Sequence, residues 1–525
     1  MSSGLPSIAR VRPLEWACVA AIVFVALGLR VSRLDLMEFK GDEAQAIELT
    51  LPIFERGEWP EVGLVSSVQV HNPPLFLYLV ALPMTLTFNP MVVTGLLVGG
   101  LGTLAVLLCW AVVRPRFGAL VALTGAAMMA VSPWVVLYNR KVWAQDVLPI
   151  FTVLTLHVLF ALGERRKTWL VAALPVLLCA MWQTHFSVVA LGPVVLLVLL
   201  LSARDLAWGK LALGTVVGLL MLWPYLHYQR THDWEDLRGF RNLAAGKRPD
   251  GSARPPKAPL SGSVVTDTFH ITGGARFDYA LGPSTEAYEQ SRGPAANALR
   301  STSTWLAWLS FAGGLGVALW RALRGARRVA GWPLVSLPAG GQAALVVAVW
   351  VPGVWAIWAL AHLELTFPHY HIIAYPVPFV LGALALGAVA RAVPRFGTPL
   401  AVSLASLVIA GHLESLTSFA RFLDRTGGTA GDYGVTYGHK AALTRHLVAN
   451  GLDVRRAPGW EYPFLVDKAR AFSALGSPAS FEPATDIPSG YRHVDIHDTV
   501  RDPNATHLQC RGGHDFGPLK TCPVP

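Results

Sequence analysis

The stretch MVVTGLLVGGLGTLAVLLCWAVV, residues 91–113, holds 23 residues without one charged side chain and is closed by Arg114 and Arg116. As an α-helix it would run about 34 Å, enough to cross the roughly 30 Å of hydrocarbon in a bilayer. Ten further apolar runs read the same way: residues 14–31, 117–137, 147–162, 169–183, 186–201, 211–227, 305–320, 343–361, 372–390 and 400–416. Several fall short of about 20 residues, which packing inside a bundle or a thinned bilayer accommodates. The expected fold class is an all-α polytopic membrane bundle of eleven spans.

Composition agrees. Of 525 residues, 53% are hydrophobic and 14% charged, against about 25% charged in an ordinary soluble domain. Mean hydropathy is +0.45. These values exclude a disordered chain, a coiled coil and a small disulfide scaffold. The net charge of +10 would suggest nucleic acid in a soluble protein, but its distribution says otherwise. With the N-terminus inside, the inner loops carry Arg10, Arg12, Arg114, Arg116, residues 165–167, Arg204, Lys210, Arg321, Arg324, Arg327, Arg328, Arg391 and Arg395. Against these fifteen basic residues stand only Glu164 and Asp205, an excess of 13 that exceeds the surplus of the whole chain. The basic balance therefore follows the positive-inside rule, and no nucleic-acid partner is implied.

Residues 74–88 are apolar but too short to span: 15 residues reach about 22 Å as a helix. Counting them as a span would put every later basic loop outside. They read as an interfacial or re-entrant helix opened by Pro73-Pro74. The first span reads as an uncleaved signal-anchor, since residues 26–30 offer no convincing cleavage site. Two units follow, a transmembrane part of residues 1–417 and an extracytoplasmic tail of residues 418–525. In the first, outer loops occupy residues 35–90 and 228–304, the latter rich in Pro, Gly, Arg and Asp and read as partly mobile. In the tail, residues 440–450 read as a helix stopped by Gly451, and residues 491–496 and 506–510 as strands of a small α+β fold. Cys18, Cys109 and Cys179 lie in apolar runs, where thiols behave as small hydrophobes. Cys510 and Cys522 lie in the polar tail and are expected to form a disulfide in an oxidising compartment.

Chemistry concentrates on the outer side. The first outer loop is acidic, and Asp42-Glu43 follow Gly41 at the start of a helical pattern. A carboxylate there can cap the helix, or it can overhang a cavity and accept a proton. Arg140 and Lys141 sit together after the third span, on the side where basic residues are disfavoured. They either snorkel to the interface or form an anion site, with Asp146 orienting them or binding a cation. His71, His185, His362, Glu364, His369 and His371 flank the same face. The candidates for a divalent-metal site are His71, Asp146, His362 and Glu364; otherwise no cofactor is implied. No Gly-rich phosphate loop, nucleophile elbow, HExxH or CxxC motif occurs, so nucleotide and zinc-hydrolase chemistry lack support.

The order Gly41-Asp42-Glu43-Ala44, then His71-Asn72-Pro73-Pro74-Leu75-Phe76-Leu77-Tyr78, then Ser132-Pro133 through Tyr138, Arg140 and Asp146, and finally His369-Tyr370-His371 before Pro376 resembles a known family. It is similar to the GT-C superfamily of integral-membrane glycosyltransferases, in particular the protein O-mannosyltransferase and lipid A aminoarabinose transferase branch (glycosyltransferase family 39 type). The resemblance covers the first 240 or so residues best. It implies transfer of a sugar from a polyprenyl-phosphate donor to a lipid, glycan or protein acceptor, on the outer face of a plasma or inner membrane. The N-terminus would be cytoplasmic and the C-terminus extracytoplasmic. Asp42 would act as general base with Glu43 beside it. Arg140, Lys141, Tyr138, His369 and His371 would bind donor phosphate, and His71, Asp146, His185 and Tyr370 would line the cavity. The sequence departs from the aminoarabinose branch at Val70-His71-Asn72, where that branch carries an acidic residue and a lysine. Two other classes fit a polytopic chain, a transporter of lipid-linked glycans and a non-catalytic membrane scaffold. The first would call for mid-membrane ionisable residues or a repeated half.

Overall fold

The computed structural model describes residues 11–66, 68–164, 168–252, 263–274, 276–324, 326–328, 335–361, 367–474, 492–508, 510 and 512–524. All eleven apolar runs are helical in it. Six are single helices long and apolar enough to cross a membrane, and two more qualify as bent pairs, Trp208–Met221 with Trp223–Thr231 and Pro368–Ala374 with Val377–Ala392. The remaining three, Ala119–Val131, Trp169–Thr184 and Phe186–Ser202, are shorter apolar helices. The short runs expected from the sequence are thus the bent pairs and the shorter helices of the bundle. The breaks have local causes: Gly118 at φ 90° separates two helices that would otherwise run on, and Pro133 restarts a helix after Ser132.

Helix Ala144–Gly163 lies at the centre, with 83% of its apolar window buried, whereas Pro13–Val31 lies at the edge with 22%. Helix Val377–Ala392 is central too, buried from Val377 through Leu384 without a break. Its backbone touches helix Pro294–Leu323 so closely that a Cβ on Gly314 would fall 1.8 Å from the Leu381 carbonyl oxygen. Only glycine fits there. Basic loop ends gather at one end of the bundle, where Arg114 pairs with Glu15 and Arg116 with Glu164. The first outer loop, residues 139–146 and the tail meet at the other.

Residues 74–88 form the shorter helix Leu75–Met84 rather than one spanning the whole run. Phe76, Leu77, Val80 and Met84 bury themselves with Ala44, Ile47 and Leu51, in a core shared with helix Gly41–Thr50. The loop 228–304 is largely helical in its described residues, with Glu235–Ala244, Ser263–Gly273 and Thr285–Gln290. The next span starts earlier than expected, at Pro294, which serves as the first helical residue.

Helix Gly397–Thr426 continues unbroken through residue 418 and ends at Gly427, φ 73°. Beyond it lie helices Tyr437–Ala449 and Glu461–Ala474 and a four-stranded sheet. Strand Asp453–Arg456 pairs in parallel with His493–Asp498, which pairs antiparallel with Leu519–Val524, and Asp515–Phe516 closes the edge. Residues 503–507 are a 3₁₀ turn and not the expected strand, because Asp502 caps the Asn504 amide at 3.1 Å behind Pro503. Tyr491 and Gln509, in the expected strands, lie outside the described residues. Cys510 and Cys522 are joined, with Cα atoms 5.1 Å apart.

Candidate functional site

The site is built on the turn between helix Pro133–Tyr138 and helix Ala144–Gly163. Asn139 ties this turn together: its side chain donates to the Asp146 carbonyl (3.3 Å) and accepts from Arg30 Nε (2.9 Å). Arg30, fully buried, also donates to the carbonyls of Ala26 and Ala130, both at 2.9 Å. Arg140 turns away and donates to the carbonyls of Leu29, Ser32 and Arg33 at 2.6–2.8 Å. It thereby caps the C-terminal end of the first helix, where free carbonyls favour a cation.

Lys141 turns inward. Its side chain is 5% exposed, with Nζ 3.1 Å from Glu38 and 3.8 Å from Glu43. The ammonium lies 3.9 Å from the Trp143 ring centroid. Lys40 joins the cluster at 2.7 Å from Glu38 and 3.1 Å from Asp432 of the tail. Burial alone would raise the Glu38 carboxyl, but Lys141 and Lys40 outweigh it and hold Glu38 below the usual carboxylate range. Burial also dominates at Glu43, where Lys141 compensates only in part, and its carboxyl is raised. Burial works against the charged form of Lys141 as well, yet Glu38 and Glu43 raise its ammonium and keep it charged.

Helix Gly41–Thr50 sets the two first-loop carboxylates in different roles. Glu43 Oε2 accepts the Lys40 amide at 2.8 Å, closing the helix start. The capping function falls to Glu43, which is 1% exposed. Asp42 stays exposed at the rim, its Oδ2 3.0 Å from Trp143 Nε1.

Near Lys141, a set of buried polar atoms has no hydrogen-bond partner among the described residues: both carboxylate oxygens of Asp146, Tyr138 Oη, Tyr375 Oη and His369 Nδ1. The two tyrosines and Asp146 lie within electrostatic reach of one another, and Asp146 within reach of Lys141, Glu43 and Glu38. Buried polar groups in folded proteins almost always have partners, which makes these atoms candidate contacts for a bound polar group. An aromatic wall borders it. Trp143 packs on His369 (4.7 Å between ring centroids), His369 on Tyr370 (4.4 Å), and Tyr370 faces His185 (6.3 Å). Burial pushes His185 down to about 4, so it is neutral.

The structure thus brings together Asp42, Glu43, Lys141, Tyr138, Asp146, His369, Tyr370 and His185. It sets others apart. Arg140 is engaged by the first helix, and His371 bonds Thr268 Oγ1 through Nδ1 at 3.0 Å. His71 lies elsewhere, its amide and Nδ1 on Asp236 at 3.0 and 3.2 Å. His362 and Glu364 lie outside the described residues. Glu38, Lys40, Trp143, Tyr375 and Asp432 were not singled out from the sequence. Glu38 and Lys40 flank the Gly41-Asp42-Glu43 motif and were within reach of its signal; Asp432 carries none, being nearly 400 residues away.

Among the described residues, one group of three could hold a metal ion, His71, Glu235 and Asp236, with ligand atoms within 4.8 Å of one another. One imidazole and two carboxylates suit a divalent ion of the zinc type. The same atoms already satisfy one another: Asp236 accepts from His71, Tyr225 (3.1 Å) and Gln229 (2.6 Å), and Glu235 from Tyr228 (2.7 Å). Asp146 is not part of this group.

Residues 71–228 match the family described as dolichyl-phosphate-mannose-protein mannosyltransferase. No curated protein matches the chain. Among solved structures, it is similar to the crystal structure of ArnT from Cupriavidus metallidurans bound to undecaprenyl phosphate, at 16% identity and a TM-score of 0.57, covering 97% of this chain and 98% of that one. It is also similar to the archaeal oligosaccharyltransferase AglB from Archaeoglobus fulgidus, in complex with an inhibitory peptide and a dolichol-phosphate, at 13% identity and a TM-score of 0.49, covering 91% of this chain and 61% of that one. The family match and the ArnT fold bear out the resemblance to GT-C membrane glycosyltransferases. They bear out the fold class as well: a helical membrane bundle carrying a small α+β unit at its C-terminal end.

Proposed function

We propose that the protein transfers a sugar from a polyprenyl phosphate to a hydroxyl-bearing acceptor, at the bundle end where residues 36–43 meet residues 139–146. The observation that carries this reading is the buried ammonium of Lys141 beside the unpartnered Asp146, Tyr138 and Tyr375. A lipid phosphate brings its charge to headgroup depth, where a fixed cation can meet it. The fold shared with a protein crystallised with undecaprenyl phosphate supports the same donor class. The charge bias of the loops supports an extracytoplasmic site, with the N-terminus in the cytoplasm.

In the proposed step the acceptor hydroxyl attacks the anomeric carbon. The bond from that carbon to the phosphate oxygen breaks, and its electron pair leaves with the polyprenyl phosphate. Asp42, exposed at the rim and held by Trp143, takes the acceptor proton. Lys141 stabilises the charge growing on the phosphate. Glu38 and Glu43 orient Lys141, and Tyr138 and His369 line the space between.

The test is release of free polyprenyl phosphate by purified protein supplied with a polyprenyl-phosphate sugar and an envelope extract as acceptor. Lys141→Gln is expected to lower turnover about 10²–10³-fold, the size of losing one oxyanion donor. Turnover within twofold of wild type would remove Lys141 from the mechanism. No release by the wild-type protein would remove the function itself.

A further inference from the structure

The tail grips the strand of chain that leads into the acidic helix. Tyr433 Oη donates to the Leu36 carbonyl at 2.6 Å, and the Tyr437 amide donates to the Met37 carbonyl at 2.9 Å. Lys440 Nζ donates to the Phe39 carbonyl at 2.6 Å and to Glu461 at 2.7 Å. Lys40 reaches back to the Asp432 carbonyl at 2.5 Å. Met37 and Phe39 are wholly buried, and Lys440 is 2% exposed. The indole of Trp460 leaves no room for a Cβ on Gly41, which would lie 2.7 Å from its Nε1.

A buried ammonium that serves one backbone carbonyl is an expensive way to hold a loop, since its desolvation must be met by a paired carboxylate. Glu461 supplies that carboxylate from the tail's second helix. The next residues after Phe39 are Lys40, which pairs with Glu38, and Gly41, which begins the helix of Asp42 and Glu43. Any shift of the Phe39 carbonyl is passed within three residues to Asp42.

We propose that Lys440, held by Glu461, is a positioning residue for the reaction: from the tail it fixes the Phe39 carbonyl and so sets Asp42 and Glu38 against Trp143 and Lys141. This rests on the proposed transferase reading and adds the tail to it as a working part of the site. It touches neither substrate nor reacting atoms.

The test uses full-length protein in detergent, with the double variant Lys440→Met/Glu461→Leu, which removes both charges and leaves no buried ion unpaired. Two quantities are read, amide hydrogen exchange over residues 37–44 and steady-state transfer. Exchange there is expected to rise at least tenfold, kcat to fall about 10–100-fold, and KM for the polyprenyl-phosphate sugar to stay within about twofold. That split separates positioning from general loss of fold, which lowers the active fraction and raises exchange across the bundle as well. Unchanged exchange over 37–44, or a wild-type kcat, would overturn the proposal. So would a kcat loss matched by the same fraction of unfolded protein. If the wild-type protein transfers no sugar, the transferase reading fails, and exchange alone decides whether Lys440 holds the loop.

Discussion

Lys141 meets two glutamates, a tryptophan face and an unpartnered aspartate in a space that leaves its side chain 5% exposed. Asp42, bonded to the same Trp143, is exposed. On the proposed transferase reading, this contrast separates the group that stabilises charge from the group that takes the acceptor proton. Asp42→Asn keeps the bond from Trp143 but cannot accept a proton, so turnover is expected to fall about 10²-fold or more with melting temperature unchanged. A helix cap would tolerate Asn well, and near-normal turnover would return Asp42 to plain surface charge. Glu38 makes a pH prediction. Its folded pKa lies below the unfolded value, so its contribution is present above about pH 4.3 and is lost as pH falls through the lower folded value. Wild-type melting temperature should therefore drop below about pH 4. Glu38→Gln should be less stable at pH 7, by up to about 3–5 kcal/mol less what Glu43 still supplies, and show a shallower acid drop. Equal acid slopes in the two proteins would show that Glu38 is not the titrating group. Glu43 has the opposite sign: burial raises its carboxyl, so its ionised form is a cost that grows as pH rises through its folded value, and Glu38→Gln lessens that cost by removing a neighbouring negative charge.

The elements show where local sequence speaks and where it is silent. The spans were legible because an apolar run of that length has one stable environment. The helices of residues 235–290 were not, because their sequence is turn-rich and their stability comes from partners elsewhere, such as Asp236 held by His71, Tyr225 and Gln229. In the candidate site, motif order along one chain pointed to Asp42, Glu43, Tyr138, Lys141 and Asp146, which the structure brings together. It could not assign the cap to Glu43 or turn Arg140 toward the first helix, because both depend on which atoms lie nearest in three dimensions. The turn carrying Lys141 and Asp146 depends on one helix contact in particular. A Cβ on Gly102 would lie 2.3 Å from Asn139 Oδ1, so Gly102→Ala must displace the residue that ties Arg30 to the Asp146 carbonyl. Overpacking of this kind costs about 1–3 kcal/mol. The expected outcome is a lower melting temperature and a larger loss of turnover than Ala substitution at Gly316, which has open space around it. Equal effects at the two glycines would break the link from this helix to the site.

For the whole molecule, the charge rule and the packing make one statement: the basic loop ends collect at one end and the site with the tail at the other. In protein lacking Cys18, Cys109 and Cys179, cysteines introduced at exposed Arg391 and Asn504 should react with impermeant reagents from opposite sides of the membrane, Asn504 from outside. Labelling of both from one side would refute the topology. The division at residue 418 was an expectation from composition, and the helix that crosses it unbroken to Thr426 shows why composition marks a change of surroundings rather than a joint.

That same helix works as a measuring rod. Its 30 residues come to about 45 Å, some 15 Å more than the hydrocarbon it crosses, and Asp424 near its end is bonded to Arg33 at 2.6 Å, just past the first span. The height of the candidate site over the lipid is thereby cut to length in the covalent chain. On the proposed transferase reading, an acceptor brings its hydroxyl to that height, which a membrane-borne or membrane-leaning molecule does without effort and a freely tumbling one does only in passing.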